Sequence, residues 1–184
     1  MRPLLLFFSL VLMRPGLAQD LRSVQRSEVT FLSDAPMERI TATSTQCSGV
    51  IDLRQRTFAV LVPVRSLEGF NSPLQREHFN ENYLESDRYP SITFQGRIIE
   101  STDLSRSGTY AVRAKGELMV HGVVRERIIP CRIVVTSEGL RVTSSFTVLL
   151  EDHAIRVPRV VQRKVASDVQ VRIDLLFGPS TKGR

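Results

Sequence analysis

The sequence predicts an all-β chain, folded as one eight-stranded antiparallel barrel with a short helical insert between strands three and four. Three observations carry this. The 184 residues include 21 Val, 10 Ile and 12 Thr against 8 Ala, and β-branched side chains suit a pleated, half-buried surface. Apolar and polar residues alternate with period two along several long runs. Short, turn-like punctuation separates these runs. With 42% hydrophobic residues, 24% charged residues and two Cys, the composition excludes collagen, low-complexity disorder, a coiled coil and a disulfide-stapled miniprotein. No composition shift or internal repeat divides the chain, so residues 19–184 read as a single domain.

The opening segment is expected to stand apart from the barrel. Arg2 precedes an apolar run, Leu4 to Met13, broken only by Ser9. Gly16 and Ala18 then supply small residues at the −3 and −1 positions of a cleavage site. This is the pattern of a secretory signal peptide over 1–18, and the apolar run is shorter than the ~20 residues that span a bilayer. No Cys follows the cut, which argues against a lipid-anchored form. The expected location is periplasmic or secreted. An oxidising compartment leaves Cys47 and Cys131 open to a disulfide. The simpler reading makes each a small buried hydrophobe in a strand.

Eight strands follow, at roughly 23–32, 38–53, 56–67, 91–101, 108–121, 123–136, 139–150 and 166–177. In the clearest of them Val112, Leu118 and Val120 alternate with Arg113, Lys115 and Glu117. Phe146 and Val148 share a face opposite to that of Arg141, and Val171 and Ile173 flank Arg172. The apolar members are expected inside and the charged ones outside, because register is locked by alternation. The third strand is ambiguous, since Val60, Leu61 and Val62 are all apolar. His121-Gly122 and Ser137-Glu138-Gly139 mark tight hairpins. Closing such a sheet into a barrel removes its two bare edges. An eight-stranded interior is either filled by side chains or holds one small ligand.

One stretch leaves the strand rhythm. Asn71-Ser72-Pro73 offers a cap followed by Pro at the first helical position. Leu74, His78, Phe79 and Tyr83 follow at helical spacing, and Pro90 closes the segment. One or two short helices are expected from Pro73 to about Arg88, lying across one mouth of the barrel.

The sequence offers little for catalysis. His78 and Glu81 share a helical face, but Asn82 stands where a zinc H-x-x-E-H motif needs its second His. No metal and no cofactor are expected. Asp152 and His153 are neighbours in sequence, which on a strand point to opposite faces and form no dyad. There is no G-x-S-x-G elbow. No enzyme activity is therefore expected. The 22 Arg against 3 Lys are mostly interleaved with acids on polar strand faces, and export argues against a nucleic-acid partner. Arg156, Arg159, Arg163 and Lys164 form a denser cluster. It reads either as a solubilising loop or as a peripheral contact for an anionic lipid headgroup or membrane surface.

Four motifs in order carry a family resemblance. They are Glu77-His78-Phe79-Asn80-Glu81-Asn82-Tyr83-Leu84-Glu85-Ser86, then Tyr89-Pro90-Ser91-Ile92-Thr93-Phe94, then Gly116-Glu117-Leu118-Met119-Val120-His121-Gly122-Val123. The last is Phe146-Thr147-Val148-Leu149-Leu150-Glu151-Asp152-His153-Ala154-Ile155 with Pro158. From about Val29 to Phe177 the chain resembles the YceI-like family of exported bacterial proteins. The resemblance implies a lipocalin-like barrel, which in some members carries a polyisoprenoid or another long-chain lipid. The expectation is non-catalytic binding or carriage of a hydrophobic, chain-like lipid, polyisoprenoid or fatty-acid-like. Phe58, Val60, Phe94, Leu118, Val120, Phe146 and Val148 are expected along the barrel axis. Phe79 and Tyr83 are expected over one mouth, with Arg88 as the partner of a polar head. The alternative is an exported interaction module with a filled barrel that acts through its surface loops. Either form is compatible with a monomer or a homodimer.

Overall fold

Nine strands form one continuous antiparallel sheet in the computed structural model, which describes residues 20–179. The signal segment expected over 1–18 lies outside the described residues. The strands are β1 (Leu21–Asp34), β2 (Arg39–Ser44), β3 (Ser48–Asp52), β4 (Thr57–Pro63) and β5 (Ser91–Ile98). They continue with β6 (Gly108–Val120), β7 (Val123–Thr136), β8 (Gly139–Leu149) and β9 (Asp168–Pro179). The order is β2-β1-β3-β4-β5-β6-β7-β8-β9, and pairing of β1 with β9 closes the sheet into a barrel. Among the described residues no helix is long and apolar enough to cross a membrane.

The barrel is eight-stranded with one extra strand, because the run expected at 38–53 is two strands. Both pair with β1, β2 along Val29–Asp34 and β3 along Leu21–Ser23. Between them, side chains take over the backbone's hydrogen bonding. Ser44 is buried, and its hydroxyl bonds that of Ser66 at 2.6 Å and accepts from Gln46 N at 3.1 Å. Cys47 N donates to Ser27 Oγ at 3.1 Å. The run expected at 56–67 likewise stops as a strand at Pro63 and turns through Val64–Ser66. The insert accordingly lies between β4 and β5. It starts with α1 (Pro73–His78) and widens into a π-type turn over Phe79–Tyr83, with Leu84 N bonding Phe79 O at 2.9 Å. Ser72 caps α1 by accepting from Gln75 N at 3.2 Å, and Pro73 occupies the first helical position.

Alternation sets the faces. Val112, Leu118 and Val120 are buried on β6, while Arg113, Lys115 and Glu117 are exposed. On β8, Val148 is buried, Phe146 half-buried and Arg141 exposed. On β9, Val171 and Ile173 are half-buried around exposed Arg172. The ambiguous strand, now β4, turns Phe58, Val60 and Val62 inward and Leu61 outward.

The inward residues form two clusters. The lower one gathers Ile51, Ile98, Leu104, Val112, Ile133, Leu140, Leu175 and Phe177. The upper one gathers Val64, Leu84, Leu118, Val120, Val148 and Ile155. Cys47 and Cys131 are free thiols, and burial pushes the Cys47 pKa up to about 11. Each therefore sits as a small apolar group.

The wall is incomplete beside the upper cluster. β7 and β8 pair only over Arg132–Thr136 with Gly139–Thr143, although β6 pairs with β7 along its length. Pro130 explains the split. Backbone N and O of one strand residue point to the same neighbour, and Pro130 O accepts from Ser144 Oγ on β8 at 2.6 Å. The N–H that Pro130 lacks would thus have faced β8. Side chains hold the gap instead. Arg127 donates to Thr147 O at 2.6 Å and Arg125 to Asp152 O at 2.7 Å.

Candidate ligand cavity

The upper half of the barrel holds a half-open cavity of about 430 Å³. Its walls are Val29 and Phe31 of β1, Leu118 and Val120 of β6, Phe146 and Val148 of β8, and Val169 and Val171 of β9. Phe70, Phe79, Tyr83 and Leu84 of the insert cover it. The half-burial of Phe146 and Val171 follows from this, since both face open space as well as the upper cluster. A pocket of this size and apolar lining is the usual form of a small-molecule site.

Aromatic contacts fix the cover. Phe31 and Phe79 stack at 5.3 Å with 11° between ring planes, and Phe70 tilts against both at 5.8 and 4.9 Å. Phe79 thus lines the cavity and anchors the insert at once. On the other side, His121 Nε2 lies 3.1 Å from Glu85 Oε1 and His121 Nδ1 donates to His153 O at 3.1 Å. The Tyr89 ring meets the His121 ring edge-on at 4.7 Å. The β6–β7 hairpin therefore clasps the end of the insert. His121 and Gly122 have φ of +51° and +71°, the left-handed pair that a two-residue hairpin needs. A Cβ at Gly122 would come within 2.4 Å of the Tyr89 ring.

Of the residues expected to touch a ligand, Phe79, Tyr83, Leu118, Val120, Phe146 and Val148 border this cavity. Phe58, Val60 and Phe94 do not. Phe58 and Val60 pack on the lower cluster and Phe94 on the upper, and the Phe58 and Phe94 rings meet at 5.0 Å. That pair joins the two clusters. Arg88 also stands outside the lining. Its guanidinium lies 5.0 Å from the Tyr89 ring centre and 3.8 Å from Glu85 Oε2.

Sequence reading passed over Phe31 and Phe70, and placed Lys164 in the basic connection but not at the cavity. Phe31 alternates with Thr30 and Leu32 on β1, so period two held a signal for it. Phe70 and Lys164 lie in connections, where no periodicity points inward.

Most polar groups of the lining are already engaged. Glu38 Oε1 accepts from Asn71 Nδ2 at 3.2 Å and Gln75 Nε2 at 3.0 Å, and Ser33 Oγ accepts from Ala166 N at 3.0 Å. Among the described residues the Lys164 ammonium, the His78 ring and the Tyr83 hydroxyl have no protein partner. Burial raises the Tyr83 pKa, which keeps its hydroxyl neutral. The arrangement can therefore bury an apolar chain and meet a polar end. Among the described residues no group of three or more His, Cys, Asp or Glu is placed to hold a metal.

The chain is a closed antiparallel barrel with an apolar cavity under a helical cover. The model of the YceI-like domain matches residues 23–177, and the chain belongs to that family. Its fold is similar to the polyisoprenoid-binding domain from Saccharophagus degradans implicated in plant cell wall breakdown, with TM-score 0.74 and 13% identity. The similarity covers 89% of this chain and 100% of that one. It is also similar to BcnA of Burkholderia cenocepacia (TM-score 0.66, 15% identity, 81% of this chain and 94% of that one). The Campylobacter jejuni YceI protein follows at TM-score 0.56 and 10% identity, over 99% of this chain and 100% of that one. At these identities the neighbours speak for the fold. No curated protein matches the sequence.

Proposed function

We propose that this protein binds or carries one hydrophobic, chain-like lipid, polyisoprenoid or fatty-acid-like, in the upper half of its barrel, without catalysis and outside the cytoplasm. The observation that carries the reading is the apolar cavity of about 430 Å³ between the barrel wall and the insert. At ~30 Å³ per water-sized group it has room for about 14 methylene-sized groups. Burial at ~0.8 kcal/mol for each CH2 then supplies about 11 kcal/mol before ordering costs, so no reactive group is needed. Membership of the family and likeness to a polyisoprenoid-binding domain support the ligand class. A barrel filled throughout, as the surface-interaction alternative requires, fits the lower cluster only. The pattern of residues 1–18 supports export, and a mature N-terminus at Gln19 in the extracytoplasmic fraction is the expected result.

The test is organic extraction of protein purified from its native host, followed by mass spectrometry. A stoichiometric long-chain lipid is expected. Val120→Trp should fill the cavity and abolish uptake of that lipid while circular dichroism keeps the β-sheet signature. Unchanged uptake in the folded variant, or no co-purifying lipid and no uptake of added chains by wild type, overturns the carrier reading.

A further inference from the structure

We propose that the rim of the cavity mouth is a docking surface for an anionic lipid bilayer. Three segments meet there: the turn between β1 and β2, the start of α1, and the connection from β8 to β9. Hydrogen bonds tie them together. Met37 N donates to Arg163 O at 2.8 Å, Gln75 Nε2 to Glu38 Oε1 at 3.0 Å, and Ala166 N to Ser33 Oγ at 3.0 Å. Each segment holds one large apolar side chain in solvent. Met37 is 59% exposed, Leu74 58% and Val160 89%. One such residue alone is ordinary on a protein surface. Three on segments bonded to one another, around the opening of an apolar cavity, form a pattern.

Charge decides what covers that pattern. The connection carries Arg156, Arg159, Arg163 and Lys164, with no acid between Asp152 and Asp168. Among the described residues none of these four pairs with a carboxylate, whereas Arg39, Arg113 and Arg141 pair with Asp34, Glu100 and Asp174. Unpaired cations interleaved with solvent-exposed apolar tips match a membrane interface. Phosphate groups receive the cations and the acyl boundary receives the tips. A soluble anion uses the cations and leaves Met37, Leu74 and Val160 in water. An apolar protein face leaves the cations uncompensated. Leu74 and Lys164 belong to both the rim and the cavity lining, and Val160 adjoins the lining residue Val161. Docking by this rim therefore turns the cavity's opening toward the acyl chains.

The full mature protein is sedimented with vesicles of phosphatidylglycerol and phosphatidylcholine in equal parts, and with vesicles of phosphatidylcholine alone. Affinity for the anionic vesicles is expected to be at least about tenfold higher and to fall with added salt. Arg159→Gln with Arg163→Gln should lower it about tenfold or more. The matched charge loss on the barrel wall, Arg97→Gln with Arg172→Gln, should leave it unchanged. Val160→Asp should lower it as well, with the circular dichroism of wild type. Val120→Trp should keep vesicle binding, so failure of lipid uptake and failure of docking are read separately. Equal binding to neutral vesicles, no vesicle binding, equal losses in the rim and wall pairs, or a silent Val160→Asp each overturns the proposal.

Discussion

His153 is a fully buried imidazole in a loop that closes the cavity end of the barrel. Its Nδ1–H donates to Val123 O at 3.0 Å, and its Nε2 is buried without a partner. Burial holds its pKa below the ordinary 6.5, against the opposing pull of the Val123 carbonyl and Asp152. The unfolded chain therefore takes up the proton first. The stability tied to neutral His153 is complete above the unfolded pKa, at about pH 6.5, and is lost as pH falls through the lower folded value. Thermal melts should be flat above about pH 6.5 and decline below it. His153→Phe should flatten that decline and cost about 1–3 kcal/mol at neutral pH, because Val123 O loses its donor. The carboxylates of Asp34, Glu100, Asp103 and Asp174 are held below their ordinary range, chiefly by hydrogen bonds from Arg39, Arg113, Ser105 and Arg141. Their contribution disappears at lower pH, as each is protonated through its lowered value. At this scale alternation made the facing of Val120 and Arg113 legible. It gave no access to Phe70 or Lys164, whose roles depend on segments distant in sequence. Nor did it reveal that Arg88 follows a left-handed Glu85, at φ +43°, and packs on Tyr89.

Elements depend on their clasps as much as on their own propensity. α1 has six residues, too few to stand alone, so its place over the mouth rests on the Phe31–Phe70–Phe79 rings and the His121 hairpin. Phe79→Ala should cost about 2–4 kcal/mol in chemical denaturation. It should also speed ligand dissociation, measured by release of a bound fluorescent fatty acid. Gly122→Ala strains the hairpin at φ +71° and drives a methyl into Tyr89. A loss of about 1–3 kcal/mol is expected, with the β-sheet spectrum intact. The cap and the hairpin were readable as short local signatures, Ser72-Pro73 and His121-Gly122. The break between β2 and β3 was not. The Ser44–Ser66 and Ser27–Cys47 bonds that hold it join residues 20 or more positions apart, and its local trace is a shift of apolar residues from even positions (Ile40, Ala42) to odd ones (Cys47, Ile51, Leu53).

Over the whole molecule, one barrel is packed below and hollow above. Sequence alternation settles which side of a strand faces the axis, yet it says nothing of whether the facing volumes meet. Phe58, Val60 and Phe94 have the same pattern as Phe146 and Val148, and only the sheet geometry places the first three in filled space. Closure itself was legible, since long antiparallel strands with short turns leave two edges that pair best with each other. The division of labour that follows is testable by hydrogen exchange. Amides of the lower ring, such as those of Val112, Ile133 and Leu175, should exchange through global unfolding. Those of residues 144–149 facing β7 should exchange through smaller openings.

The split between β7 and β8 gives the upper ring the mechanics of a leaf spring. An unbroken hoop widens only by rupturing ladder bonds. A slit hoop widens by flexing at its fixed end, here the paired stretch 132–136 and 139–143. The clips across the slit are the Arg125, Arg127 and Ser144 side-chain bonds. On the proposed carrier reading, a chain somewhat bulkier than the resting cavity is admitted by elastic spreading, so selectivity for tail length should grade smoothly rather than end at a sharp limit. Arg125→Ala with Arg127→Ala softens the spring. In a chain-length series of fluorescent fatty acids, that variant should shift its preference toward longer tails.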